Sequence, residues 1–178
     1  MNLREHVVLG GGVALALTPV LGAQDSAVFW VASVLIDADH YADYLYRNRF
    51  RDWSPSRMFA FHRTLFARIR RPDFLALSLF HTVEWFALVY LVAAFLESSA
   101  LAAVFWGMGF HLVLDAVWLA LHRALFSRAF SMLEYVIRRR RLRRRGLDPD
   151  LAYEEALTTI GVTAPAAAQP SPSLPSPS

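Results

Sequence analysis

Apolar residues fall in four blocks separated by short polar or strongly basic stretches. Residues 74–96 run 23 positions with one acid, Glu84, and one histidine, His81; residues 100–121 run 22 positions with one acid, Asp115, and one histidine, His111. At ~1.5 Å per residue, each is long enough to cross a ~30 Å hydrocarbon core as a helix. Residues 7–22 form a shorter apolar block carrying Gly10, Gly11 and Gly12, small residues that let helices approach closely in lipid. This block also has the outline of a cleaved leader ending after Ala23, but Glu5 in the charged region and Leu21 near the cleavage position count against that. Residues 27–36 are apolar, and the helical pattern continues to about residue 46. Tyr41, Tyr44, Tyr46 and Phe50 gather there as in an interfacial aromatic belt.

Between the second and third blocks the pattern turns amphipathic. Ser54-Pro55 reads as an N-cap and first helical residue. Met58, His62, Leu65 and Ile69 then share one helical face, with Phe59 and Phe66 beside them, so a basic helix lying on a membrane surface is expected until Arg71-Pro72. After the fourth block, residues 127–145 form an Arg-rich helix suited to an anionic headgroup surface, and residues 150–159 a short further helix. The expected fold is all-α: a polytopic transmembrane helical bundle of about four membrane helices, with an interfacial amphipathic helix and a basic C-terminal helix. The bundle occupies residues 1–126, a basic cytoplasmic or interfacial helical segment 127–160, and a Pro/Ser/Ala-rich disordered tail 161–178.

Charge orients this arrangement. All 18 basic residues are arginine, and none lies in the two short loops, 23–26 and 97–99. Arg4, eight arginines between residues 47 and 71, and nine from Arg123 onward fall on the other side. The positive-inside rule therefore predicts a multi-pass protein of the inner or plasma membrane with both termini cytoplasmic. The net charge of +3 follows from these flanking arginines, so membrane lipids, not nucleic acid, are the expected partners. The aromatic surface and the Pro/Ser tail are candidate contacts for membrane protein partners. With 56% hydrophobic residues and no cysteine, the chain has neither disulfides nor thiolate chemistry.

The informative residues are the ionisable ones inside apolar blocks, which cost several kcal/mol each unless partnered or functional. His81 and Glu84 lie three apart, His111 and Asp115 four apart, and Asp37 and His40 three apart, with Asp39 and Asp43 alongside. On helices each such pair shares a face. Counted from the basic ends, His81, His111, Asp115, His40 and Asp37 all lie roughly 9–15 Å deep, and His6 approaches from the start of the first block. Imidazoles and carboxylates in one layer suit a divalent metal: zinc first, with iron or manganese as alternatives, and one or two ions. The candidate ligands are His6, Asp37, Asp39, His40, His81, His111 and Asp115, with Glu84 and Asp39 as candidate acid/base groups. The competing expectation is a hydrogen-bonded polar cluster that pins the helices together. His62 beside Arg63, and His122, read as interfacial residues.

At these positions the chain resembles a bacterial family of membrane-bound metal-dependent hydrolases and, more distantly, the zinc-dependent phospholipase C and P1-nuclease group. His6 matches the family's early histidine. Ile36-Asp37-Ala38-Asp39-His40 matches its Pro-Asp-x-Asp-His block, with Ile36 in place of proline. His62-Arg63-Thr64 resembles the His-Arg element, and His111 with Asp115 matches the late pair. The family's compact His-Arg-Gly-x-Thr-His-Ser is absent; its second histidine corresponds to His81, nineteen residues after His62. The resemblance covers residues 1–122 and implies a metal-binding helical bundle. The function expected is a metalloprotein hydrolysing phosphoester or lipid-linked substrates at the cytoplasmic face, with Arg63 and its neighbours holding an anionic headgroup. The alternatives are a non-enzymatic accessory subunit of a larger bioenergetic or photosynthetic membrane complex, with a structural metal, and a di-iron centre suggested by Asp37-x-x-His40.

Overall fold

The structure, a computed structural model, describes residues 3–162; all but the first two residues of the expected tail lie outside them. Among the described residues are seven α-helices: α1 (Leu3–Leu35), α2 (Ala38–Arg47), α3 (Pro55–Phe66), α4 (Val83–Phe95), α5 (Ser99–Leu121), α6 (Met132–Arg144) and α7 (Leu151–Thr159). Two-residue strands β1 (Ala76–Leu77) and β2 (Arg128–Ala129) pair in parallel.

The first helix is not straight. Gly22 takes φ 78° and ψ 163°, a backbone conformation open to glycine and strained for other residues. There the chain doubles back: Trp30 Nε1 donates to the Val7 carbonyl at 3.0 Å, and a Cβ on Gly10 would come within 2.4 Å of Ser33 Oγ. In a straight helix Gly10 and Ser33 would stand about 35 Å apart. α1 is therefore two antiparallel arms, and the apolar blocks 7–22 and 27–36 are both helical. α5 packs against both. Ala14, Phe29 and Ala103 form a small apolar core, and a Cβ on Gly107 would lie 2.3 Å from the Phe29 carbonyl oxygen. Only a glycine permits that approach.

α1 running on into α2, and α5, are long and apolar enough to cross a membrane. Both present large apolar side chains outward, including Leu15, Val20 and Leu35 on α1 and Trp106, Val113 and Leu121 on α5. A helix that is apolar all round belongs in apolar surroundings.

Two expected membrane helices are altered. The helix expected over 27–46 breaks at Ile36–Asp37, so α2 starts afresh at Ala38. The block 74–96 is helical only over α4, 13 residues or roughly 20 Å. Its first part goes elsewhere: Phe74 joins a second apolar core, Leu75 is buried, Ala76–Leu77 pairs with β2, and Thr82, extended, caps α4 through its hydroxyl. An apolar run thus serves two environments, a core and a helix surface, which periodicity does not separate. That second core joins Tyr44 of α2, Phe61 and Leu65 of α3, and Ala152, Tyr153, Ala156 and Leu157 of α7. Segment 127–160 packs into the fold through β2 and α7. The amphipathic helix appears as α3, capped by Ser54 accepting from Arg57 N–H, and the basic helix as α6, capped by Ser131.

Candidate metal centre

The break between α1 and α2 sets the first side chain of the site. Asp37 is the N-cap of α2, yet its carboxylate caps no backbone N–H, the usual task of an N-cap aspartate. It turns instead toward α5. Its Oδ1 lies 3.3 Å from His111 Nε2 and 3.6 Å from His81 Nε2. Asp115, one turn along α5, places Oδ2 3.6 Å from His111 Nε2 and 4.0 Å from His81 Nε2. One ligand atom from each of Asp37, His81, His111 and Asp115 lies within 4.8 Å of every other. This buried group can hold a metal ion.

The far side of each imidazole shows which nitrogen donates there. His111 Nδ1 sits 2.8 Å from the Ser33 carbonyl, which only accepts, so Nδ1 carries the hydrogen and the bond points Nε2 inward. His81 Nδ1 sits 3.1 Å from Asp39 Oδ2, an oxygen that also accepts from the Phe80 N–H at 3.0 Å. Histidine metal ligands are held this way, with the other ring nitrogen donating to a carboxylate or carbonyl. Burial, and secondly the Arg128 cation, push His81 down to about 4, so it is a neutral ligand at physiological pH. Its Nε2, the His111 Nε2 and Asp37 Oδ1 are all buried without a hydrogen-bond partner. A neutral imidazole turns its Nε2 lone pair toward these carboxylates, an arrangement that a cation between them stabilises. Metal bonds of ~2.1 Å in a tetrahedron put ligand atoms roughly 3.4 Å apart, close to the 3.3–4.0 Å spacings here.

The remaining expected residues divide. His6, 1% exposed, stacks on His111 at 3.8 Å between ring centroids. Its Nε2 is 3.3 Å from Asp115 Oδ1, the oxygen opposite the ligand oxygen. Asp39 and His40 form, with Asp37, a second group close enough to hold a cation; His40 Nδ1 is 3.1 Å from Asp39 Oδ1. Glu84 is elsewhere. Because His81 precedes α4 instead of lying within it, the two do not share a helix face. Glu84 Oε1 accepts from Ser131 and from the Met132 N–H at the start of α6. His122 is also outside, stacked on Trp118.

His62 touches the site from behind. Its Nε2 donates to the His40 carbonyl at 2.8 Å, its ring stacks on His40, and burial followed by the His40 charge pushes it down to about 3. Sequence reasoning missed Arg128. It reads as part of a basic surface segment, but β2 carries it inward, 7% exposed, with Nη1 3.3 Å from Asp115 Oδ2. Its position in a short Leu-Phe-Ser-Arg-Ala-Phe stretch between arginine-rich flanks was the only available signal.

Asp37, His40 and Asp115 line the floor of a groove of about 910 Å3. Its walls include Leu35, Met58, Phe59 and Trp118, and it carries Arg4 and Arg63. Comparison with known proteins leaves the site to be read on its own chemistry: no family model, curated protein or solved structure matches this chain.

Proposed function

We propose that this protein is an integral membrane metalloenzyme that hydrolyses phosphoester or lipid-linked substrates at the cytoplasmic surface. The two arms of α1 and the helix α5 cross the bilayer in this reading, α4 dips into it, and the arginines of α3 and α6 rest at anionic headgroups. The metal is held by Asp37, His81, His111 and Asp115, and zinc suits two imidazoles with two carboxylates. The observation that carries the proposal is the convergence of two Nε2 lone pairs, each fixed by an acceptor at Nδ1, on two carboxylate oxygens.

When bound, a divalent ion supplies Lewis-acid activation of water and of a substrate oxygen. The chain's own residues do the rest. Asp39 and Ser33 hold the imidazoles in register, and Arg4 and Arg63 attract an anionic head into a groove whose apolar walls receive a hydrocarbon part. Because Asp37 and Asp115 face the groove, substrate and water reach the ion from that side.

A second reading has its own support: four protein ligands fill a tetrahedral ion, as in structural sites. The protein would then be an accessory subunit whose metal ties α1, α5 and the His81 segment together. Purification in mild detergent, with metal counted per chain by mass spectrometry, tests both. Metal in the native chain and none in the His81→Ala/His111→Ala double variant is the expected result; a metal-free native chain under non-chelating conditions would sink both. Turnover of phosphoester or lipid substrates, lost with the metal, selects the enzyme. Metal retention without turnover, alongside stoichiometric co-purifying partners, selects the subunit.

A further inference from the structure

Next to the groove lies a second and smaller space. This cavity of about 50 Å3 has a polar side of His40, Asp43, His62, Ser78, Ser127 and Arg128, and an otherwise apolar lining that includes Leu65, Phe74 and Leu119. It has room for roughly three or four ordered waters, or one tetrahedral oxyanion. The cavity and the large groove share His40, His62 and Phe66, so the two spaces meet at the stacked histidine pair.

Arg128 is the unusual wall of this cavity. A buried guanidinium without a full set of acceptors is costly. Among the described residues, Arg128's guanidinium makes a single hydrogen bond, from Nη1 to Asp115 Oδ2 at 3.3 Å. Asp115 Oδ2 is also a candidate metal ligand, so the guanidinium stands one carboxylate away from the ion. Its remaining N–H groups have no acceptor among the described residues, and the planar fork they form matches the oxygens of a phosphoryl group. Charge agrees. The three carboxylates Asp37, Asp39 and Asp115 are balanced by Arg128 and one divalent ion, so the loaded site does not repel an incoming anion. Asp43, the one acid among the residues that line the cavity, is paired with Arg47 at 3.2 Å.

We propose that this cavity is a phosphoryl-binding subsite in which Arg128 grips the non-bridging oxygens of a phosphate whose organic part lies in the groove. The proposal narrows the substrate class of the proposed hydrolase to phosphate esters, and it rests on that reading only for the chemistry that follows binding. The binding itself is a property of Arg128 and the cavity. A phosphoryl group can come from a lipid headgroup or from a small soluble phosphate, and the apolar groove distinguishes them.

The test is calorimetric titration of the full chain in mild detergent with inorganic phosphate and with hexyl phosphate, on the native protein, Arg128→Gln and Arg128→Lys. Metal is counted on the same samples. Arg128→Gln is expected to weaken both probes at least about tenfold, the scale of a lost bidentate charge-assisted contact. Arg128→Lys, which keeps the charge beside Asp115 and loses the fork, should weaken them less and serves alone if the glutamine variant does not fold. Hexyl phosphate binding tighter than inorganic phosphate identifies a substrate with a hydrocarbon part; equal affinity identifies a soluble phosphate. Absence of binding to the native chain, or affinities unchanged in both variants, overturns the subsite. A metal-free native chain that still binds phosphate through Arg128 would remove the metal reading and leave the subsite standing.

Discussion

Gly107→Ala is a small change that should reach the metal without touching it. Gly107 lies one helical turn before His111 on α5, against the Phe29 carbonyl of α1, and Phe29 lies one turn before Ser33, whose carbonyl orients His111. The added Cβ would sit 2.3 Å from the Phe29 oxygen, where ordinary contact begins at 3.4 Å, a shortfall of 1.1 Å. That obstacle is backbone, so the helices must part; overpacking of this kind costs about 1–3 kcal/mol. A separation of that size carries the 2.8 Å His111 Nδ1···O=C Ser33 bond past the ~3.2 Å limit of a good hydrogen bond. His111 would lose its fixed tautomer and aim, and loss of such a supporting bond typically lowers metal affinity about 10- to 100-fold. Chelator competition on the detergent-purified protein measures this. Gly109→Ala is the control, since its Cβ would meet only Phe86 Cε1 at 3.9 Å. Native-like metal affinity in Gly107→Ala, with Gly109→Ala also unchanged, would refute the claim that the α1–α5 approach positions His111.

Three further outcomes are expected. Asp39→Asn leaves the fold intact but weakens metal binding about 10- to 100-fold by removing the carboxylate that orients His81; metal titration checks it, and an effect no larger than that of an exposed Asp148→Asn control would contradict the role. With metal stripped, stability should fall between pH 6.5 and 4. Burial holds His62 and His81 below their ordinary 6.5, at about 3 and about 4, so across that window the unfolded chain binds more protons and acid favours unfolding; a melting temperature equal or higher at pH 5 than at pH 7 would count against it. Finally, the chain lacks cysteine, so single cysteines at Asp25 and at Arg144 can be labelled one at a time in intact cells. An impermeant thiol reagent should reach Asp25→Cys and leave Arg144→Cys unlabelled; the reverse pattern would invert the proposed topology.

Much of the helical content was legible in the sequence because local signals and apolar blocks agree. Ser54-Pro55 marks the start of α3, Ser131 lies at the start of α6 within the basic segment, and the block 100–121 matches α5. The i,i+4 spacing of His111 and Asp115 already put both on one face, since helical geometry is set by the chain itself. Asp37, His40 and His81 were recognisable as costly residues in apolar blocks, although only the fold shows which of their atoms meet.

Local patterning is enough to specify an all-α chain with helices fit for a membrane and a set of His and Asp residues that need one another. Everything else depends on contacts between segments far apart in the chain. The reversal at Gly22 folds one long apolar helix into two arms and brings Ser33 beside His111. Strand pairing with β2 and burial against α7 withdraw residues 74–82 from α4, which frees His81 to face Asp39 and sends Glu84 to α6. The same pairing carries Arg128 from an arginine-rich segment to the His and Asp cluster. Periodicity along the chain reports which face a residue takes within its own helix; it carries no information on which helix lies opposite, and at this site the opposite partner sets the chemistry.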